Sequence, residues 1–283
     1  MSRLSARVVA LRTVFSTVGG VAPELAARWA ETLFCTPPRH EPRSGDEAFL
    51  AGGRRSTVPW EGRDLALWEW GPEHQPPVVL VHGWGSRAGR FSVMGGRLLE
   101  AGHRVVAYDG PAHGRSTGRL ASLVEFARAL RAVGDRVGPV RSLVGHSLGG
   151  AAIVLALRDG LAAERVVLLA APADVSRFST AFADHLRIPE RARQAMRRNL
   201  ERRLDARWDD LHLPAIVARL RTPALVVHDR SDPDVPYRHA EEIVAAWPGA
   251  RLLATEGLGH RAVLRDPAVV ASTVGFLAGA ASR

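Results

Sequence analysis

The sequence contains no lysine: all 38 of its Lys-or-Arg positions are arginine. Against 29 acids they leave a formal net charge of +9 and an isoelectric point near 11.2. Such a balance ordinarily points to nucleic acid or an anionic surface. A lysine-free chain rich in Ala, Arg and Gly instead reflects a coding bias toward G and C, which explains part of the charge without any partner. The arginines are also scattered among acids, and no RNA- or DNA-reading motif accompanies them, so no nucleic-acid partner is expected. Cysteine is nearly absent. Cys35 alone permits neither a disulfide framework nor a thiolate metal site. No run of about 18 apolar residues occurs, so no membrane-spanning helix is expected. The patch Val8-Val9-Ala10-Leu11 is interrupted by Arg12, and no clear small-x-small cleavage site follows at the right distance. The expectation is a cytoplasmic protein.

What is present suits one large α/β domain with an insertion, or two small ones: 283 residues, 46% of them hydrophobic. Leu4, Val8, Leu11, Phe15 and Val18 recur at helical spacing, Gly19-Gly20 reads as a break, and Pro23 opens a second helix. This arm is expected to dock on the core, with subunit pairing or a membrane surface as the alternatives. The Pro-, Gly- and charge-rich stretch from Thr36 to Gly53 reads as a linker. Thr57 to Trp60 and Leu65 to Trp70, about Glu61-Gly62-Arg63-Asp64, predict a hairpin. Val78 to Val81 is apolar on both faces, as buried parallel strands are. Beyond it, helices and strands alternate, with strands at 104–108, 140–144, 165–170, 224–228 and 251–255. That rhythm predicts a doubly wound, mostly parallel sheet.

One segment breaks the rhythm. Between Ala173 and Pro214 there is no strand signal, and Ile188, Ala192, Met196, Leu200 and Leu204 mark an apolar stripe on an arginine-rich helix. It reads as a small helical lid over the carboxyl ends of the strands, with the stripe turned to the active-site cleft. The divisions expected are an arm and linker at 1–53, a core at 54–173 and 214–283, and a lid at 174–213.

The stretch around which the chemistry gathers is Leu143 to Gly150, LVGHSLGG. A strand ends, a Gly-x-Ser-x-Gly turn follows, and an apolar helix starts at once. Glycines on both sides permit a sharp, strained apex that lifts the Ser147 hydroxyl above the sheet edge. The N–H of Leu148, at the helix start, suits a developing oxyanion. His82-Gly83-Trp84-Gly85 ends the buried strand at Val81 and lets backbone approach the same place. Asp109 and His113, in the loop Asp109 to Ser116, precede the turn and are read as structural. His146 is read as packing or bonding locally. After the strand at 224–228 come Asp229, Asp232 and Asp234, any of which suits the orienting of a histidine. His260, on a glycine-bearing loop after the next strand, suits a general base.

In the order Ser, Asp, His, with HGWG, DGPAHGRS, GHSLGG, HDRSDPDVP and GLGH in sequence, the chain resembles the α/β-hydrolase fold superfamily from about Thr57 onward. The resemblance implies a triad of Ser147, Asp232 and His260, because the family loop HGxxDxxVP lays its acid on Asp232. Asp229 stands where that pattern has glycine. The resemblance also implies an oxyanion hole from the N–H groups of Trp84 and Leu148, no metal or organic cofactor, and a small-molecule ester as substrate. Thioesterase, lactonase, C–C hydrolase and perhydrolase chemistry use the same residues, and a ligand-binding relative without turnover or a membrane-surface scaffold are the readings from other classes.

Overall fold

The computed structural model describes residues 6 to 279, with the Arg7 side chain left out; Leu4 lies outside the described residues. The chain divides into two compact units, one from Pro37–Ala173 and Leu213–Arg283, the other from Met1–Thr36 and Asp174–His212. In chain order the helices are α1 (Ala6–Val21), α2 (Pro23–Cys35), α3 (Ser44–Ala51), α4 (Ser92–Glu100), α5 (Leu123–Val137), α6 (Leu148–Arg158), α7 (Ser176–His185), α8 (Glu190–Leu204), α9 (Leu213–Val217), α10 (Arg238–Ala246), α11 (Gly259–Ala262) and α12 (Pro267–Leu277). The strands are β1 (Arg54–Trp60), β2 (Arg63–Trp70), β3 (Val78–Val81), β4 (Val105–Tyr108), β5 (Ser142–His146), β6 (Arg165–Leu169), β7 (Ala224–Asp229) and β8 (Arg251–Thr255).

The larger unit is built on one eight-stranded sheet in the order β1-β2-β4-β3-β5-β6-β7-β8. The hairpin β1–β2 and the pair β2–β4 are antiparallel, and every other pairing is parallel. Glu61 and Gly62, both at positive φ, make the two-residue turn whose twist matches a hairpin. Strands β3, β4, β5 and β7 are buried along their whole length, which is why they read as continuous apolar runs instead of alternating ones. Helix α6 is apolar all round and buried from Gly149 to Leu157. β3 has β4 on one side and β5 on the other, so the chain order reverses there. Ligands of open α/β sheets bind at such a reversal, outside the carboxyl ends of the strands.

The supposed linker is not one. Within it α3 is part of the larger unit, where Phe49 stacks on Trp70 at 4.3 Å and the buried Asp46 pairs with Arg90 at 3.4 Å. The prolines ahead of Ser44 hid a two-turn helix whose apolar residues, Phe49 and Leu50, are too few to show a period.

The smaller unit is helical. Gly19-Gly20 does not end α1, which runs on to Val21. Gly19 instead allows close approach: a Cβ there would lie 2.7 Å from the Pro189 ring. Helix α8 packs on α2, with Arg203 bound to Glu31 at 2.7 Å and Arg198 to Glu24 at 3.4 Å. Ala192, Met196, Leu200 and Leu204 are buried on α8, and Ala26, Ala27 and Ala30 are buried on α2. The stripe thought to face a cleft is thus buried on a helix that packs against α2, whose own buried side chains are small. The arm correspondingly packs on these inserted helices, where the sequence suggested the sheet-bearing core.

Candidate active site

Ser147 caps α6 at φ 52° and ψ −121°, a strained backbone for a residue with a Cβ. The glycines around it are there for space. A Cβ on Gly145 would fall 2.7 Å from the Gly149 backbone, and one on Gly149 would collide with the Val81 carbonyl oxygen. A Cβ on Gly83 would lie 2.9 Å from the Ser147 Cβ. The loop after β3 therefore touches the turn after β5, and only glycines permit it.

The N–H of Trp84, next to Gly83, and the N–H of Leu148, next to Ser147, have no hydrogen-bond partner among the described residues. Two unpaired donors beside a hydroxyl are what an oxyanion needs. The loop that bears Trp84 is propped from below by two histidines. His82 donates from Nδ1 to the Gly83 carbonyl at 2.7 Å and accepts the Gly110 N–H at Nε2 at 2.8 Å. His113 donates from Nδ1 to the Pro111 carbonyl at 2.8 Å and accepts the Gly85 N–H at Nε2 at 2.9 Å. Burial holds both rings neutral: His82 lies well below the ordinary imidazole value, and His113 is pushed down to about 4. Asp109 accepts the N–H groups of Ala88 and Arg115 at 2.8 and 2.7 Å. Asp109 and His113 are scaffolding, as read from the sequence.

The carboxyl side of the site comes from the loop after β7 and the connection after β8, where His260 lies in the one-turn helix α11 and not on the loop expected. Asp232 and His260, 28 residues apart in the chain, meet at 2.8 Å between Oδ2 and Nδ1. Oδ1 of Asp232 accepts the N–H groups of Asp234 and Val235, both at 2.8 Å. His228 donates from Nε2 to the Val235 carbonyl at 2.8 Å and leans on Asp232 Oδ2 at 3.5 Å. Burial alone would raise the Asp232 carboxyl; hydrogen bonds from His228, His260 and Val235 outweigh it and hold the group well below the usual carboxylate range. Asp234 points elsewhere, toward Arg261 at 3.4 Å. It caps no helix, since α10 begins after Tyr237 with no side-chain cap.

The hydrogen bond that His260 makes with a side chain runs from Nδ1, and none joins its Nε2 to Ser147 Oγ among the described residues. Their bond is thus unmade here, and in sites of this kind it commonly tightens only with substrate bound. Among the described residues, no three His, Cys, Asp or Glu gather as metal ligands do.

Two residues named in the sequence take parts in this site that were not assigned to them there. His146 does not bond locally: it donates from Nε2 to the His260 carbonyl at 2.8 Å, and the two rings lie 4.7 Å apart. No sequence signal announces a contact across 114 positions. Asp229 carries a signal, for it replaces the pattern's glycine. Its buried carboxylate takes hydrogen bonds from Ser231, Thr255 and Leu258.

Comparison with known proteins agrees with this architecture. A serine hydrolase-like protein of Danio rerio is 36% identical over 101 residues, 34% of this chain and 30% of that protein. A monoacylglycerol lipase of Mycolicibacterium smegmatis is 38% identical over 91 residues, 29% of this chain and 32% of the lipase. The matched stretch thus spans about a third of the length of these relatives. Among solved structures, an esterase of Exiguobacterium antarcticum superposes with a TM-score of 0.62 at 20% identity, covering 80% of this chain and 99% of its own. A carboxylesterase of Bacillus subtilis gives 0.62 at 18%, covering 84% and 97%. Similarity that low speaks for the fold alone. The model of the Alpha/beta hydrolase family matches residues 78–273, from β3 into α12, and the chain belongs to that family.

Proposed function

We propose that the protein is a serine hydrolase that cleaves a small carboxylic ester through an acyl-enzyme. The observation that carries the reading is the Asp232–His260 bond at 2.8 Å, beside a strained Ser147 flanked by two unpaired N–H groups. His260 Nε2 takes the Ser147 proton as Oγ attacks the ester carbonyl. Asp232 fixes the proton on Nδ1, so that Nε2 is the nitrogen left to act as base, and it balances the imidazolium that forms. The N–H groups of Trp84 and Leu148 hold the oxyanion. The imidazolium then protonates the departing alcohol, and water, activated by the same ring, releases the acid. A serine at the apex, where a carboxylate would displace halide, supports acyl chemistry. The relatives' names, a lipase and serine hydrolase-like protein among them, support the same class.

A fluorophosphonate probe should label Ser147 alone, and Ser147→Ala should lower kcat on chromogenic esters by about 10³-fold or more. Labelling of a different serine, or an undiminished variant, would refute the reading. A panel of esters and thioesters of graded acyl length then separates carboxylesterase from thioesterase.

A further inference from the structure

The turn that bears His260 is tied down by its main chain at two places, and neither tie is a member of the triad. One is the bond from His146 Nε2 to the carbonyl of His260 itself. A carbonyl only accepts, so Nε2 carries the proton; burial keeps the ring neutral, with its pKa down to about 3, and Nδ1 has no partner among the described residues. His146 is the last residue of β5 and directly precedes Ser147. The bond therefore joins the strand that aims the nucleophile to the backbone of the base.

The other tie is Asp229, at the end of β7. Oδ2 accepts the Thr255 hydroxyl at 2.7 Å and the Leu258 N–H at 3.0 Å, both on the base side. Oδ1 accepts the Ser231 N–H at 3.1 Å and its hydroxyl at 2.6 Å, on the acid side. The Ser231 hydroxyl oxygen in turn accepts the Gly257 N–H at 3.1 Å. A glycine at 229, as in the family pattern, makes none of these side-chain bonds.

We propose that His146 and Asp229 are positioning residues that jointly fix the backbone of the His260 turn, so that its imidazole reaches Asp232 with one nitrogen and Ser147 with the other. The proposal rests on the serine-hydrolase reading above. The Asp232 bond orients the ring but leaves the Cα free to shift, and attack geometry tolerates only fractions of an ångström. Two ties on opposite sides of one short turn remove that freedom.

The test compares the full-length wild type with His146→Phe, Asp229→Asn, both together, His146→Gln and Thr255→Val. It reads kcat and KM on a p-nitrophenyl ester, the rate of fluorophosphonate labelling, and the melting temperature. Each of His146→Phe and Asp229→Asn should lower kcat and labelling by about 10- to 100-fold while KM moves by no more than about 2-fold. His146→Gln, whose amide N–H reaches the same carbonyl, should recover most of the loss. The double variant should lose less than the product of the singles, because a turn freed at one tie has little left to lose at the other. If Asp229→Asn does not fold, Thr255→Val, which removes one donor from the same carboxylate, should show the same kcat-only loss. Variants that melt earlier but turn over and label at wild-type rates would reduce both residues to ordinary packing and overturn the proposal. So would a His146→Gln no better than His146→Phe. A wild type unlabelled at Ser147 defeats the hydrolase reading and this proposal with it, whereas a labelled wild type with unaffected variants defeats the proposal alone.

Discussion

Two loops at the sheet edge look alike on paper. The loop of residues 109–116 and the segment of residues 256–262, which runs into α11, each follow a strand, each carry glycines, and each present one histidine. Their hydrogen bonds separate them. His113 commits both ring nitrogens to backbone groups, Pro111 and Gly85, and is sunk among His82, Trp84 and Phe126. His260 commits Nδ1 to a carboxylate and leaves Nε2 without a partner among the described residues. A histidine saturated on both sides is a strut; one with a fixed proton and an open nitrogen is equipped to move a proton.

The sharpest way to break that contrast is to exchange the roles by mutation. His260→Gln should lower kcat by about 10⁴-fold at nearly unchanged stability, the cost of losing the base. His113→Gln should cost far less turnover and mainly lower the melting temperature, by loosening the Gly85 N–H that it accepts. Equal losses of kcat in both variants would mean that the open nitrogen is no guide.

The next effect in size concerns the three carboxylates after β7. Asp232→Asn should cost about 10³-fold in kcat, because an amide no longer fixes the proton on His260 Nδ1. Asp234→Asn should stay within about 2-fold, its ion pair with Arg261 being an exposed one. Asp229→Asn falls between them. A collapse confined to Asp234→Asn would move the acid two residues along.

A third comparison sets the two units side by side. Met196→Ala on α8 should cost about 2–5 kcal/mol in the stability of the helical unit, as cavities in packed interiors do. Its ester-chain profile should not change, since Met196 is already buried. A shifted acyl preference at unchanged melting temperature would return that stripe to the cleft.

The smallest effect is a slope. His113 and His146 are neutral when folded, with values of about 4 and about 3 against an ordinary 6.5. As pH falls below 6.5 the unfolded chain takes up protons that the folded one refuses. Stability is therefore complete above pH 6.5 and declines toward pH 4, by up to about 1.4 kcal/mol per pH unit for each ring. Asp229 and Asp232, held low by their hydrogen bonds, add a second loss only below the ordinary 3.8. Urea melts at pH 7, 6 and 5 should show the first decline, less steep in His113→Asn. A flat curve between pH 7 and 5 would contradict the burial of these rings.

What the sequence determined by itself was local and periodic: four-residue apolar runs make buried strands, glycine spacing makes the turn at Ser147, and the order of loops after successive strands brings Asp232 to His260. These features depend on neighbours along the chain, or on a family pattern that preserves them. Only the tertiary structure decided which surface covers a given face and which backbone group meets a given ring. The α8 stripe reads the same whether it faces a cleft or α2, because helical periodicity specifies a face and not its partner. Helix α3 was hidden because eight residues give two turns, too short for a period to stand out from proline and charge. The bond from His146 to His260 spans 114 residues, and nothing in a one-dimensional pattern encodes a hydrogen bond that exists only once β5 and the loop after β8 have come together.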